Sequence, residues 1–204
     1  MTDDRERWDR RYEQNPDRCG TSHRTILDLA RPLLPETGRA VDVACGTGHN
    51  VVRLAQFGLD VLAVDVSGVA LELVRANAQA AQVDDRVSTL RHDVPEGLDD
   101  ASELDGPFDV ITMSYFHAPE LLPRLARRLA SGGVLIAELP NVGNIALGHE
   151  RPPPAFLWKH DEVLVAARGL HVDLFADALV GDRAVSRLIA RRDPDPTLRL
   201  PFAV

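Results

Sequence analysis

The stretch Ala40-Val41-Asp42-Val43-Ala44-Cys45-Gly46-Thr47-Gly48-His49-Asn50 decides the fold. Small and β-branched residues carrying one acid lead into a two-glycine turn, and Val51-Val52-Arg53-Leu54-Ala55 follows at helical spacing. The order is strand, glycine-rich turn, helix, which aims the first backbone N–H groups of the helix at a ligand. A Cβ at either glycine would block close approach of the backbone, or the positive φ that such a turn demands.

Outward from there, apolar runs of strand length alternate with helical stretches. Strands are expected over 40–44, 60–66, 86–91, 108–114 and 133–139, with helices over 50–57, 67–81 and 120–130. The link 93–107 is rich in Asp, Glu, Gly and Pro and leaves room for a short helix only. Such alternation builds βαβ units and a parallel sheet covered on both faces. Beyond a helix expected at 161–168 the pattern changes, with strands at 170–179 and 184–191 flanking Gly181-Asp182. So short a turn joins antiparallel strands, because a parallel pair needs a crossover. The expected fold is α/β: a Rossmann-like, doubly wound, seven-stranded and mostly parallel sheet with a C-terminal antiparallel hairpin.

One domain, 37–192, is expected to hold that sheet, after an N-terminal helical extension (1–36) and before a tail (193–204) in which Asp193-Pro194-Asp195-Pro196 ends regular structure. Helical segments are expected over 4–14 and 22–33, and Trp8 and Tyr12, four residues apart, share one helical face. An irregular insert, 141–160, carries Pro152-Pro153-Pro154. Extension and insert both reach the carboxyl ends of the strands, where open α/β sheets bind ligands, and suit a lid and a substrate wall.

Composition narrows the partners. The chain has 204 residues, 45% of them hydrophobic and 26% charged, which fits one globular α/β domain. A net charge of −8 argues against a surface built to neutralise phosphates, so nucleic acid is not an expected partner. Lys159 is the only lysine. Cys19 and Cys45 cannot make a zinc cluster, and Cys45, inside the glycine turn, reads as a small filler. The charged first residues and the lack of any run near the ~20 apolar residues of a membrane helix give a cytoplasmic expectation, with no membrane partner. Oligomeric state is not legible.

A nicotinamide fingerprint, G-x-G-x-x-G, wants a third glycine where this chain has Val51. A two-glycine turn alone still admits a nicotinamide-dependent oxidoreductase, or a cofactor-binding protein without catalysis. Further segments tip the balance. Asp42 to Gly48, Val61-Leu62-Ala63-Val64-Asp65-Val66-Ser67, Arg91-His92-Asp93-Val94, Phe108-Asp109-Val110-Ile111-Thr112-Met113 and Leu129-Ala130-Ser131-Gly132-Gly133-Val134-Leu135 stand in consistent spacing. Over about 38–139 the chain resembles the class I S-adenosylmethionine-dependent methyltransferases. The terminal hairpin fits that family and is lacking in nicotinamide Rossmann domains. The resemblance implies that Asp65 accepts the ribose hydroxyls and that Val66 lies against adenine. Asp93 would accept from the adenine amino group and the Val94 N–H would donate to the ring. Asp42 would order the turn and the cofactor's ammonium end, while Gly46, Gly48 and the Ala44 carbonyl border the methionine part, with Ser114 near it.

Trp8-Asp9-Arg10-Arg11-Tyr12 resembles the helix of tellurite-resistance-type small-molecule methyltransferases, with looser similarity at Glu150-Arg151-Pro152, Phe156-Leu157 and 184–192. That implies Tyr12 over the cofactor and Arg11 reaching its carboxylate. The alternative is that Trp8 and Tyr12 only staple an amphipathic helix to the sheet.

The implied reaction is in-line SN2 transfer of a methyl group from S-adenosylmethionine to a small-molecule acceptor, leaving S-adenosylhomocysteine. Alignment of the nucleophile at ~3 Å can supply on the order of 7–11 kcal/mol, so a catalytic side chain is optional. An alcohol acceptor needs a base, whereas a thiolate, an oxyanion or a halide does not. His117, three residues past Ser114, is the candidate base with Tyr115 beside it, and His160 is a second. His49 is expected to cap or line the helix after the turn. Ser114-Tyr115-Phe116-His117 is not the Asn/Asp-Pro-Pro-Tyr segment of amino-methyltransferases acting on bases, and no Cys/His array suggests a metal.

Overall fold

Seven strands form one sheet in the order β3-β2-β1-β4-β5-β7-β6 in the computed structural model, which describes residues 2–16, 26–195, 197 and 200. The expectations for Cys19 and for the start of the second helical segment lie outside the described residues. In chain order the elements are α1 (Thr2–Gln14), α2 (Ile26–Ala30), β1 (Arg39–Val43), α3 (His49–Gln56), β2 (Asp60–Asp65), α4 (Gly68–Ala80), β3 (Val87–Arg91) and α5 (Val94–Gly97). There follow β4 (Phe108–Ser114), α6 (Leu121–Ala126), β5 (Leu129–Pro140), α7 (Gly143–Ala146), α8 (His160–Ala166), β6 (His171–Val180) and β7 (Arg183–Arg191). Pairing is parallel from β3 through β5, and β7 runs antiparallel to both β5 and β6. This is the expected doubly wound sheet with its terminal hairpin.

Alternate residues of the strands feed two cores. Ala40, Val61, Ala63, Val110, Val134 and Ile136 pack with Leu27, Leu54 and Val74 of α2, α3 and α4. Val41, Val43, Ile111, Met113, Leu135 and Ala137 pack on the other face with Leu121, Leu125, Trp158 and Val163. Burial on both faces explains why β1, β4 and β5 read as apolar runs rather than alternating ones.

Several expected boundaries move, for local reasons. β1 stops before Ala44, which takes φ +54, and β2 stops at Asp65 before Val66. The helix expected over 120–130 ends at Ala126, because Leu129 pairs with Phe108 and β5 begins there. The insert is more ordered than expected. It holds α7 and a 3₁₀ turn, Pro154–Phe156, and Asn141 bridges to Trp158. Asn144 fastens it by donating to the carbonyls of Asn141 (2.9 Å) and Ala184 (2.6 Å). Among the described residues no helix is long and apolar enough to cross a membrane.

Candidate active site

Strand order reverses between β1 and β4, which leaves a crevice at their carboxyl ends. The first residue past β1, Ala44, and the first past β4, Tyr115, both adopt φ +54. A side chain held in that region costs on the order of 1–3 kcal/mol, and such strain gathers where a fold shapes a ligand site.

The glycine turn closes between them. Gly46, at φ +53, donates its N–H to Asp65 Oδ2 at 2.9 Å, and the Ser67 N–H donates to Oδ1 at 2.9 Å. Burial raises the Asp65 pKa, and the backbone N–H groups of Ser67, Gly46 and Val66 oppose that rise. A Cβ at Gly46 would sit 3.0 Å from the Tyr12 hydroxyl, and one at Gly48 (φ +83) 2.8 Å from Val74 Cγ2. One glycine therefore admits α1 over the turn, and the other lets the turn pack on α4. Gly48 is also the N-cap of α3, so His49 opens the helix and does not cap it.

Asp42 lies beneath the turn, 2% exposed. Thr112 Oγ1 donates to its Oδ1 at 2.6 Å, and Asn50 donates both to it and to Ser114 Oγ, the latter at 3.1 Å. Burial pushes the Asp42 pKa up to about 7 against the Thr112 and Asn50 hydrogen bonds, with the nearby Asp65 charge adding to the rise. A buried carboxylate poised there has its charge only partly satisfied by the chain itself.

Val66, Asp93 and Val94 border the crevice at the ends of β2 and β3. The His92 N–H donates to the Asp65 carbonyl at 3.0 Å, which ties the two strand ends together. Val66 is half-buried, and its carbonyl accepts from Arg91 Nε at 3.1 Å. Asp93 is half-buried and its carboxylate takes no hydrogen bond among the described residues, while Val94 is buried behind it.

The candidate bases separate. Tyr115 is half-exposed, and burial together with a hydrogen bond to the negatively charged Glu138 raises its phenol pKa. Glu138 in turn accepts from Arg187 Nε at 2.8 Å. His117 instead meets the insert, its ring 5.4 Å from Trp158 and 6.4 Å from Phe156, both edge-on. Trp158 Nε1 pins that loop by donating to the Phe116 carbonyl at 2.9 Å. His160 Nδ1 lies 2.5 Å from Asp177 Oδ2 on β6. Tyr12, Asp42, Ala44, Gly46, Gly48, Asp65 and Ser114 thus share one crevice, whereas His117 and His160 belong to its insert side.

Residues 40–133 match the family described as methyltransferase domain. Over that stretch, a little under half of its length, the chain is similar to methyltransferase domains. TehB from Haemophilus influenzae superposes with a TM-score of 0.68 at 14% identity, over 91% of this chain and 67% of that one. Magnesium protoporphyrin IX methyltransferase from Synechocystis PCC 6803, solved with bound SAH, does so at 0.64 and 19% identity, over 81% of this chain and 78% of that one. These likenesses are of fold. In sequence, trans-aconitate 2-methyltransferase from Deinococcus radiodurans is 33% identical over 118 residues, covering 53% of this chain and 41% of that protein. Across three curated relatives the matched stretch spans 30%, 45% and 41% of the relative's own length.

One anchor of the crevice was not legible in the sequence. Asp9 Oδ1 accepts from Ser67 Oγ at 2.5 Å and from the Val69 N–H at 3.3 Å, and Oδ2 pairs with Arg91 Nη2 at 3.2 Å. Burial raises the Asp9 pKa and these partners outweigh it, leaving it lowered. An acid from α1 thereby caps the positive end of α4, next to Asp65 and Val66. The available signal was Ser67, the N-cap of α4, whose hydroxyl accepts from the Ala70 N–H and so has its proton to donate elsewhere. A 13-residue helix is marginal by itself, so docking keeps α1 ordered. Asp9→Ala should raise amide exchange across residues 2–14 at least tenfold, since a hydrogen bond to a charged group contributes about 1.5–3 kcal/mol. Unchanged protection in native-state hydrogen exchange would mean that Trp8 and Tyr12 hold the helix without it.

Proposed function

We propose that the protein transfers a methyl group from S-adenosylmethionine to a small-molecule acceptor. The crevice at the β1/β4 reversal carries this reading. It joins a glycine turn on which Tyr12 closes tightly, a buried carboxylate held by backbone N–H groups, a second carboxylate with no hydrogen-bond partner among the described residues, and a buried acid poised to ionise beside a cation. These features fit a ligand that has a diol, an amino-purine and an ammonium group. When bound, the sulfonium supplies an activated methyl and a neutral leaving group.

The chain then binds and orients. Asp65 accepts the ribose hydroxyls, Val66 covers the adenine face, and Asp93 with the Val94 N–H reads the adenine edge. Asp42 offsets the ammonium through the turn that contains Ala44, Gly46 and Gly48, with Ser114 at the side. Tyr12 closes the turn from above, so that the extension acts as a lid and the insert as a wall, and both exclude water from the reacting atoms. His117 stands as the candidate proton acceptor for a hydroxyl nucleophile, while Tyr115, whose raised pKa keeps its phenol protonated, can serve there only as a hydrogen-bonding group.

Asp42 gives the reading a pH signature. In the unliganded fold its pKa of about 7 exceeds the ordinary 3.8, so the folded state holds an extra proton between those values. Stability therefore falls as pH rises from about 4 to about 7, by an amount on the order of 4 kcal/mol. A bound ammonium favours the ionised form, so affinity for S-adenosylhomocysteine should rise by up to about tenfold per pH unit on approaching pH 7 and level off above it. Calorimetric titrations from pH 5.5 to 8.5 measure this, and Asp42→Asn should flatten the profile at the weak end. A wild-type profile without slope would remove Asp42 from the ammonium site.

The reading as a whole is tested by titrating the protein with S-adenosylhomocysteine and with NAD, then supplying labelled S-adenosylmethionine to thiols, phenols, amines and oxyanions. Binding of the homocysteine compound with label transferred supports it. Binding without transfer to any acceptor would leave a cofactor-binding protein, and binding of NAD alone would reverse the assignment.

A further inference from the structure

α1 carries its arginines on one face. Arg7, Arg10, Arg11 and Gln14 follow the i, i+3, i+4, i+7 spacing that stacks side chains along a helix. Arg7, Arg10 and Gln14 are exposed and Arg11 is half-buried. Arg7, Arg10, Arg11, Gln14 and Asn15 line a cleft of about 360 Å³ whose far side is closed by Arg151 of the insert. The geometry points to an acceptor subsite, in which these arginines take the carboxylate or phosphate group of an anionic methyl acceptor.

Like charges lined up on a helix destabilise it, so four guanidinium groups around one cavity call for a counter-charge. The chain supplies little. Asp4 pairs with Arg7 at 2.8 Å and Glu6 with Arg10 at 3.8 Å, all four half-exposed, where such pairs contribute little. Among the described residues neither Arg11 nor Arg151 pairs with a carboxylate. Arg11 is partly withdrawn from water, lying 4.9 Å over the Trp8 ring that Arg7 also approaches at 5.9 Å. Desolvation lowers its pKa, and the charges of Arg151 and Arg7 add to the effect against that of Tyr12. Guanidinium groups stay protonated under such crowding and present planar forks that match a carboxylate or phosphate. In a chain of net charge −8, this concentration of positive charge is a local exception.

The cleft joins the extension to the insert. Arg11 precedes Tyr12, whose hydroxyl meets Gly46, and Arg151 belongs to the insert that follows β5. Arg7, Arg10 and Arg151 continue the positive charge along the cleft.

This inference rests on the methyl-transfer reading, and the test separates the two. The intact protein is given S-adenosylmethionine with thiophenol, 2-mercaptobenzoate or 4-mercaptophenyl phosphate, so that only the anionic group differs. At least a thirtyfold preference in kcat/KM for one anionic thiol is expected. Arg151→Gln should raise the KM for that thiol at least tenfold while the dissociation constant for S-adenosylhomocysteine stays in place. In parallel, benzoate and phenyl phosphate are titrated against the protein with and without S-adenosylhomocysteine, following the ligand-dependent change in tryptophan emission, which Trp8→Phe should remove while Trp158 still emits. Binding should be salt-sensitive and weakened at least tenfold by Arg151→Gln. Methyl transfer without preference for the anionic thiols would overturn the subsite and leave methyl transfer standing. Anion binding through Arg151 with no thiol methylated would support the subsite and count against the transfer reading. Anions bound equally well by the Arg151→Gln protein would overturn the subsite whatever the activity.

Discussion

Asp65→Ala should cost the protein both its cofactor and part of its stability. Loss of hydrogen bonds from a charged acceptor weakens S-adenosylhomocysteine binding by about 1.5–3 kcal/mol, more than tenfold in dissociation constant. The same carboxylate, 6% exposed, accepts the N–H groups of Gly46 and Ser67. Its removal leaves two donors unpaired at about 1–3 kcal/mol each where water cannot reach them. Asp65→Asn separates the effects, because the amide keeps one acceptor for the backbone but presents a donor toward the ligand. We expect Asn to melt nearer the wild type than Ala and to bind almost as poorly. Calorimetry at pH 8 with thermal melts reads both quantities. Unchanged affinity in the alanine protein would reject the ribose role, even if the melting temperature fell.

The largest loss of stability is expected far from the crevice. Arg191, on β7 and 1% exposed, donates through Nε and Nη2 to the two oxygens of Asp173, each at 2.7 Å. The Asp173 side chain is only 4% exposed. Arg191→Ala strands a buried carboxylate and should destabilise the fold by about 3–5 kcal/mol. For a chain of this size that lowers the melting temperature by roughly 6–20 °C. Combining Arg191→Met with Asp173→Leu should restore most of the loss, because a pair filled by apolar groups leaves no charge unmet. A single mutant melting within 2 °C of wild type would show that water reaches Asp173.

The strands were legible because both faces of the sheet are covered, so Val110–Met113 and Val134–Ala137 are apolar except for Thr112, whose hydroxyl donates to Asp42. The terminal hairpin was legible from Gly181-Asp182, since two residues cannot make a crossover. The polar pair inside that hairpin was not. Asp173 sits at a shift of register between Val172 and Leu174, and such a bulge re-aims one side chain against the alternation a reader counts. Leu129 and Ala130 continue a helical pattern as well as they begin a strand, and only pairing with Phe108 decides between them.

The site divides in the same way. The turn, Asp42 and Asp65 lie at strand ends within the segments that carry the methyltransferase resemblance, so that resemblance locates them. Asp9 acts across 58 residues on Ser67, and Glu138 across 49 on Arg187, through contacts that no local pattern encodes. His117 illustrates the converse. Its distance past Ser114 made it a candidate base, and the contacts of its ring with Trp158 and Phe156 of the insert were not written in that spacing. Whether a proton acceptor is used at all follows from the acceptor, whose contacts lie in the extension and the insert, the segments with the least regular sequence.

A crystal structure of the protein grown with S-adenosylhomocysteine is the most direct test of the account. We expect the ribose hydroxyls on Asp65, adenine between Val66 and Asp93, the ammonium above Asp42, and Tyr12 closed over Gly46. A ligand bound elsewhere, or a crevice left empty at saturating concentration with the Asp65 oxygens turned only to Gly46 and Ser67, would contradict it.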